Sequence, residues 1–269
     1  MTGSFLQEVA DHVLRDSRSP RYVIGVPEDR ARRPASLRRA VEEDRTRGAL
    51  IVEYKRASPA YQAPGPEGRT VQEFLSVTDS AVVTGYSCLA THHGFDGSPA
   101  FVAELASQTR RPVLFKEFVL GSRQVEVAAR TGAAALLLIA RLASEHLLEE
   151  PLPELARLAH HRGLEVLLEL HDSAELSLVD GVEADVYGVN TRDLGTLRLD
   201  RPRAYATMEA AARCGLRPLL GLSGVDGPAQ AREMWARGCD GLLVGTAISR
   251  SSDPAGLLAS LSREGAEGP

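Results

Sequence analysis

Glu53 and Lys55 stand two residues apart in the run Ile51-Val52-Glu53-Tyr54-Lys55-Arg56-Ala57-Ser58-Pro59. On a strand, a spacing of two sends both side chains to the same face. An acid and an amine on one buried face are costly to hold there unless a site uses them. Proline cannot donate to a sheet ladder, so Ser58-Pro59 closes the strand. By itself this stretch fits a solvated ion pair at a strand end as well as it fits a site. Other apolar runs end in the same way. Lys116, Glu117 and Phe118 follow one; Glu169, His171 and Asp172 another; Asn190, Arg192 and Asp193 a third. Ser223 and Gly224 follow a fourth, Gly245 and Thr246 a fifth. Amines beside carboxylates suit general acid–base work, and glycine-bearing turns let backbone N–H groups approach an anion.

Those groups act together only if the apolar runs bring them to one place. Runs rich in Val, Ile and Leu recur at 49–54, 81–89, 112–115, 134–139, 164–168, 185–189, 218–222 and 241–244. Most are nearly continuous in hydrophobicity, as strands buried on both faces of a parallel sheet are. Helix-like segments lie between them at 70–76, 98–108, 122–130, 144–160, 172–179, 202–212, 227–236 and 254–262, with Ser98, Ser122, Ser144 and Asp172 at N-cap positions. Eight strands alternating with eight helices predict an α/β fold of the (β/α)8, or TIM-barrel, kind. An open doubly wound sheet fits less well, because no Gly-x-Gly-x-x-Gly follows the first strand. Two further helices, 5–13 and 36–47 (the second capped by Ser36), precede the first strand. The expectation is therefore one domain over 1–269, with an N-terminal helical extension over 1–48 packed on the barrel. The tail 263–269 is expected to fray.

In such a barrel the C-terminal strand ends form one rim, where catalysts collect. Glu53, Lys55, Lys116, Glu169, Asn190 and Ser223 all fall there. The turns 222–225 and 243–248 end strands seven and eight, the pair between which barrels often hold phosphate. Gly224, Gly245 and Thr246 are the expected cradle, with Lys55 as counter-charge.

The bulk composition narrows the alternatives. A net charge of −5 and dispersed arginines exclude a phosphate-backbone stripe, so no nucleic-acid partner is expected. Cys88, Cys214 and Cys239 make neither a metal spacing nor a disulfide framework, which points to a reducing cytoplasm. No apolar run reaches membrane-spanning length, and residues 1–17 do not read as a signal peptide. His92 and His93 read as loop residues, since adjacent histidines rarely share one ion. His160 and His161 close a helix, Trp235 reads as packing, and Phe95 and Phe118 follow strands two and three, where they wall a pocket or pack the core.

The ordered strand-end motifs resemble the indole-3-glycerol phosphate synthase family. The residues that carry the resemblance are Val52-Glu53-Tyr54-Lys55-Arg56-Ala57-Ser58-Pro59, Phe95-Asp96-Gly97-Ser98, 112–118, 163–172, Gly188-Val189-Asn190-Thr191-Arg192-Asp193-Leu194, Ser223-Gly224-Val225 and Leu243-Val244-Gly245. The resemblance implies closure of an indole ring on an anthranilate joined to a deoxyribulose 5-phosphate, with loss of CO2 and water. It implies no metal and no organic cofactor, and a small phosphorylated molecule as partner. It makes Lys116 the general acid on the ketone and Glu169 the base or second acid of the dehydration, with Glu53 and Lys55 as its pair on strand one. Asn190 and Arg192 would hold the amine or carboxylate end, and Ser223 the intermediate. Ser58 belongs to the substrate-binding set, and Phe95, Phe118, Leu137 and Leu194 would wall the aryl ring. Lys55, Gly224, Gly245 and Thr246 would take the phosphate.

Several positions depart from the family pattern. Leu222 stands where a glutamate usually precedes the serine, which is expected to leave a gap in the acidic rim. Tyr54 sits between the acid and the lysine. Thr91-His92-His93 replaces a threonine followed by an acid, and the 60–68 loop is unlike the usual short basic-glycine turn. A paralogue acting on a modified aryl-amine, and a catalytically silent phosphate-binding barrel, are the alternatives these departures raise. A monomer or weak dimer is expected.

Overall fold

A computed structural model describes residues 5–58 and 69–266. Pro59 and the unusual 60–68 loop lie outside the described residues. The chain opens with α1 (Phe5–Arg18), a 3-10 turn (Pro20–Val23) and α2 (Leu37–Asp44). Then come β1 (Ala49–Tyr54), α3 (Val71–Thr78), β2 (Gly85–Leu89), α4 (Pro99–Gln108), β3 (Val113–Lys116), α5 (Ser122–Arg130), β4 (Ala135–Ile139), α6 (Ala140–Ser144), α7 (Leu152–His161) and β5 (Glu165–Leu170). A long 3-10 segment (Ser173–Gly181) leads to β6 (Val186–Asn190), α8 (Arg201–Arg213), β7 (Leu219–Leu222), α9 (Pro228–Ala236) and β8 (Gly241–Val244). Three short helices, α10 (Thr246–Arg250), α11 (Pro254–Leu261) and α12 (Arg263–Ala266), follow. Every strand is parallel to its neighbour, and β8 pairs with β1, so the sheet closes as an eight-stranded barrel.

Period-two alternation builds two cores. On β1, Leu50, Val52 and Tyr54 face the helices, whereas Ala49 and Ile51 face inward. The inward set is joined by Leu114, Leu137, Leu167, Leu220, Leu222 and Leu243 from other strands, which fill the barrel interior. Residues further along the same faces (Glu53, Lys116, Glu169) are polar. An apolar plug therefore carries a polar layer at its C-terminal end.

The extension spans the barrel from one end to the other. Leu6, Val9, Ala10 and Val13 of α1 join the inward cluster at the C-terminal end, and Leu37 and Val41 of α2 join it at the other. Between them the chain is pinned along the flank. Arg30 donates from Nε to the Ala129 carbonyl at 3.0 Å and from Nη1 to that of Gly163 at 3.1 Å.

Some boundaries differ from those read in the sequence. Ser144 ends α6 rather than capping a long helix, because the chain turns before Pro151 and restarts with Pro153 in the first turn of α7. Ser122 is the first helical residue of α5; the Gln124 side chain reaches back to the Leu120 N–H at 2.7 Å and does the capping. Asp172 does cap, but a 3-10 segment. The run 81–89 becomes a strand only from Gly85, since Arg111 holds the carbonyls of Ser80 and Val83 in a turn. Residues 263–266 are helical rather than frayed: Arg263 stacks on Trp235 at 5.0 Å and donates to the Cys239 carbonyl at 2.7 Å.

Candidate active site

One open cavity of about 950 Å³ lies at the C-terminal end of the barrel. Glu53, Lys55, Ser58, Phe95, Lys116, Phe118, Leu137, Glu169, Asn190, Arg192, Leu194, Ser223, Gly224, Gly245 and Thr246 all line it. Residues from β1 to β8 meet there because each strand ends on the same rim.

Its charges fall into two corners. In the first, Lys55 Nζ lies 3.0 Å from Glu53 Oε1 and 2.8 Å from Thr246 Oγ1. Gly245 makes this possible. A Cβ there would stand 2.6 Å from Glu53 Oε1 and 3.1 Å from Lys55 Nζ, so any side chain would displace the pair. In the second corner, Lys116 Nζ stands 3.5 Å from Glu169 Oε2, and Asn190 Nδ2 donates to Glu169 Oε1 at 3.1 Å. Asn190 is itself held, since its Oδ1 accepts from the Arg192 N–H at 2.9 Å.

Glu169 is 1% exposed. Burial pushes its carboxyl up, but the Lys116 ammonium, His171 and Asn190 outweigh burial and bring it down to about 2. Glu169 is thus held as an anion where it lines the cavity. Behind it, His171 Nε2 lies 3.2 Å from Glu169 Oε1 and Nδ1 lies 4.0 Å from Glu175 Oε2, though neither contact is aligned as a hydrogen bond. Glu175 is fixed by Arg141 and by the His171 N–H at 2.8 Å.

Glu117 behaves in the opposite way. It is buried between strands two and three, and burial drives it up to about 7 despite donors from Thr91, the Phe118 N–H at 2.8 Å and the Tyr22 hydroxyl at 3.4 Å. The last residue of β3 and the one after it thus carry an amine that pairs with an anion and an acid that burial moves toward neutrality. The sequence named Glu117 without giving it a role, and its partner Tyr22 sits 95 residues away. Phe5 of α1, Leu197 and Asp226 also line the cavity, with no motif to mark them.

Leu222 does not leave a gap in the rim. It is 1% exposed and packs in the barrel interior, its side chain filling the space above Gly188. Leu220 and Leu222 share one inward face. Ser223 then leaves it with φ +64°, followed by Gly224 at φ +67°. These consecutive left-handed residues turn the chain over the cavity mouth beside β8, a shape that can present backbone N–H groups to an anion.

A family model described as indole-3-glycerol phosphate synthase matches residues 6–261. An indole-3-glycerol phosphate synthase of Thermococcus kodakarensis is 34% identical over 80% of this chain and 92% of its own. One of Streptomyces coelicolor, called indole-3-glycerol phosphate synthase 2, is 36% identical over 77% of each chain. Among solved structures, a thiamine phosphate pyrophosphorylase from Pyrococcus furiosus superposes with a TM-score of 0.58. It is 17% identical and covers 86% of this chain and 98% of its own, a likeness of fold alone. No described helix is long and apolar enough to cross a membrane.

Proposed function

Because the chain belongs to the indole-3-glycerol phosphate synthase family, we propose that the two charged corners of its rim divide the steps of indole ring closure between them. The activity is that of a carboxy-lyase of tryptophan biosynthesis. 1-(2-carboxyphenylamino)-1-deoxyribulose 5-phosphate loses CO2 and water and becomes indole-3-glycerol phosphate. The aryl carbon bearing the carboxylate attacks the sugar ketone, so the ketone oxygen must gain a proton as the bond forms.

Lys116 supplies that proton. Its Nζ stands 3.5 Å from Glu169 Oε2 at the cavity wall, placed to pass a proton to the developing alkoxide. Once CO2 has left, dehydration needs a base for a ring proton and an acid for the departing hydroxyl. Glu169, held as an anion, is the base. Lys55, braced by Glu53 and Thr246, is the acid. Assigning Lys55 to the second step leaves the phosphate to Gly224, Gly245 and Thr246, with Lys55 near enough to attract it. Phe95, Phe118, Leu137 and Leu194 give the aryl ring an apolar wall, Asn190, Arg192 and Ser58 orient the polar end, and Ser223 binds the intermediate. The extension over 1–48 and the barrel act as one domain, a monomer or weak dimer working in the cytoplasm.

The observation that carries this reading is the contact of Lys116 with a carboxylate buried as deeply as Glu169. Turnover of the anthranilate-derived substrate, followed by indole fluorescence, tests it. A rate no higher than that of Lys116→Ala would refute it. Leu222 favours one further reading, a modified aryl-amine as the preferred substrate, since an apolar residue stands at the family's acidic position. Restoring the acid with Leu222→Glu discriminates: a tenfold gain on the plain substrate in protein that keeps its thermal midpoint supports the modified-substrate reading, and unchanged turnover in such protein counts against it.

A further inference from the structure

A second cluster of chemistry-bearing side chains lies outside the cavity. Glu8 and His12 are one helical turn apart on α1, so they share a face. His93, in the loop after β2, reaches the same face. His12 and His93 stack with ring centroids 3.7 Å apart and planes 5° apart, and His93 Nε2 lies 3.5 Å from Glu8 Oε1. One carboxylate oxygen and two imidazole nitrogens therefore all lie within 4.8 Å of one another. We propose that Glu8, His12 and His93 form a binding site for a divalent metal ion of the zinc class, and that the ion fastens α1 to the loop after β2.

Three considerations support this. The donor set, two imidazoles and one carboxylate, is one that Zn²⁺, Co²⁺ and Ni²⁺ take, with solvent left to complete the coordination. The imidazoles are also close: their rings stack with centroids 3.7 Å apart, so both present ring nitrogens to one small volume beside Glu8. The reach is also adequate. Bonds of about 2.0–2.1 Å in a tetrahedral shell set ligand atoms roughly 3.3 Å apart. The three ligand atoms all lie within 4.8 Å of one another, and His93 Nε2 is already 3.5 Å from Glu8 Oε1, so an ion draws together groups that already face one volume. Among the described residues, no hydrogen bond takes up any of these three side chains, so metal binding displaces no other bonded partner. The adjacent His92 points elsewhere, with Nδ1 4.0 Å from Asp96.

Location gives the site a consequence. Phe5, three residues before Glu8, and Thr91, two before His93, both line the cavity. An ion here ties the helix over the cavity mouth to the rim beneath it. The site is independent of the reaction assigned above, and its test does not require turnover.

The test is to titrate chelator-stripped protein with Co²⁺ and follow the visible absorption of the bound ion. One equivalent should bind, Zn²⁺ should displace it, and amide hydrogen exchange across α1 should slow when metal is added. His12→Ala and His93→Ala should each weaken binding at least as much as the loss of a supporting partner does, about 10–100-fold, while His92→Ala binds as the parent does. Thermal midpoints measured in chelator confirm that each variant folds. Absence of a stoichiometric Co²⁺ band, or a band that persists in both His12→Ala and His93→Ala, overturns the site. Unchanged exchange across α1 with metal bound overturns its fastening role.

Discussion

The two ends of the barrel bury charge and bend the backbone in opposite ways. At the N-terminal end, Asp240 is 1% exposed yet fully engaged. It accepts from Arg217 at 2.7 Å and the Leu219 N–H at 2.9 Å, and pairs with Arg45 at 3.0 Å. Asp44 is likewise shared between Thr84 at 2.6 Å and Arg47 at 2.7 Å. At the C-terminal end, Glu169 meets Lys116 only at 3.5 Å, and His171 has no aligned partner at either ring nitrogen. The backbone repeats the contrast. Turns entering strands, such as those before β1 and β8, place glycine at their left-handed positions, Gly48 and Gly238. Among the described residues, three of the four non-glycine residues with positive φ (Asp96, Leu197 and Ser223) lie in loops that leave strands, and the fourth, His146, lies between α6 and α7. The N-terminal end ties Asp240 and Asp44 into close pairs; the C-terminal end leaves Glu169 and His171 loosely met and bends non-glycine backbone, where a substrate can use both.

The sharpest way to break this contrast is at Lys116. Replacing it with Met should cut turnover by about 10²–10⁴-fold, the range for a lost general acid, while leaving the thermal midpoint within a few degrees of the parent. A large fall in midpoint would mean that the C-terminal end, too, is built for stability. Asp240→Ala should do the reverse. It leaves two guanidinium groups and a buried N–H without their acceptor, a loss of about 2–4 kcal/mol after allowing for the exposure of both arginines. Urea unfolding measures that loss, and turnover per folded molecule should stay within about twofold of the parent.

Glu117 gives a smaller, pH-dependent effect. Its folded pKa, about 7, lies above the usual 4.5, so between these values the folded state binds more protons than the unfolded. Stability therefore falls as pH rises from 4.5 to about 7 and is level above that. Glu117→Gln should remove this slope, which is on the order of 2–3 kcal/mol, as read from unfolding free energies at pH 5 and pH 8. An unchanged slope would assign it to another group. The smallest expected change is at Ser223, where Gly relieves the strain at φ +64°. Stability should rise by up to about 1 kcal/mol, since the penalty removed exceeds the entropy that glycine adds, while kcat falls with the lost hydroxyl.

How far these two ends could be read from the sequence depends on the range of the interactions. The strands were legible because each buries both faces and so reads as an unbroken apolar run. The polar layer was legible because period two carries Ile51 to Glu53 and Lys55, and Leu167 to Glu169, without a change of face. The supports of that layer were not legible. Arg141 reaches Glu175 across 34 residues and Tyr22 reaches Glu117 across 95, and neither pairing leaves a local pattern. His93 is the loop residue its sequence position indicates; its nearness to Glu8 and His12 was not legible because they belong to a helix more than eighty positions earlier. Leu222 closes β7 as the run 218–222 indicates, and the chain turns at Ser223; what the sequence did not reveal is that its side chain packs down over Gly188.

The pairing of β8 with β1 bears on how the catalytic groups come together during folding. Lys116, Glu169 and Asn190 sit on β3, β5 and β6, and meet when that central stretch of chain condenses. Lys55 and Thr246 are 191 residues apart and meet only across the seam, whose closure carries the larger chain-entropy cost. The corner that holds Lys116 thus needs only the central strands, whereas the corner that holds Lys55 needs the ring closed. A chain that stops short of β8 lacks the Lys55–Thr246 contact, and the last strand completes the rim by pairing with the first.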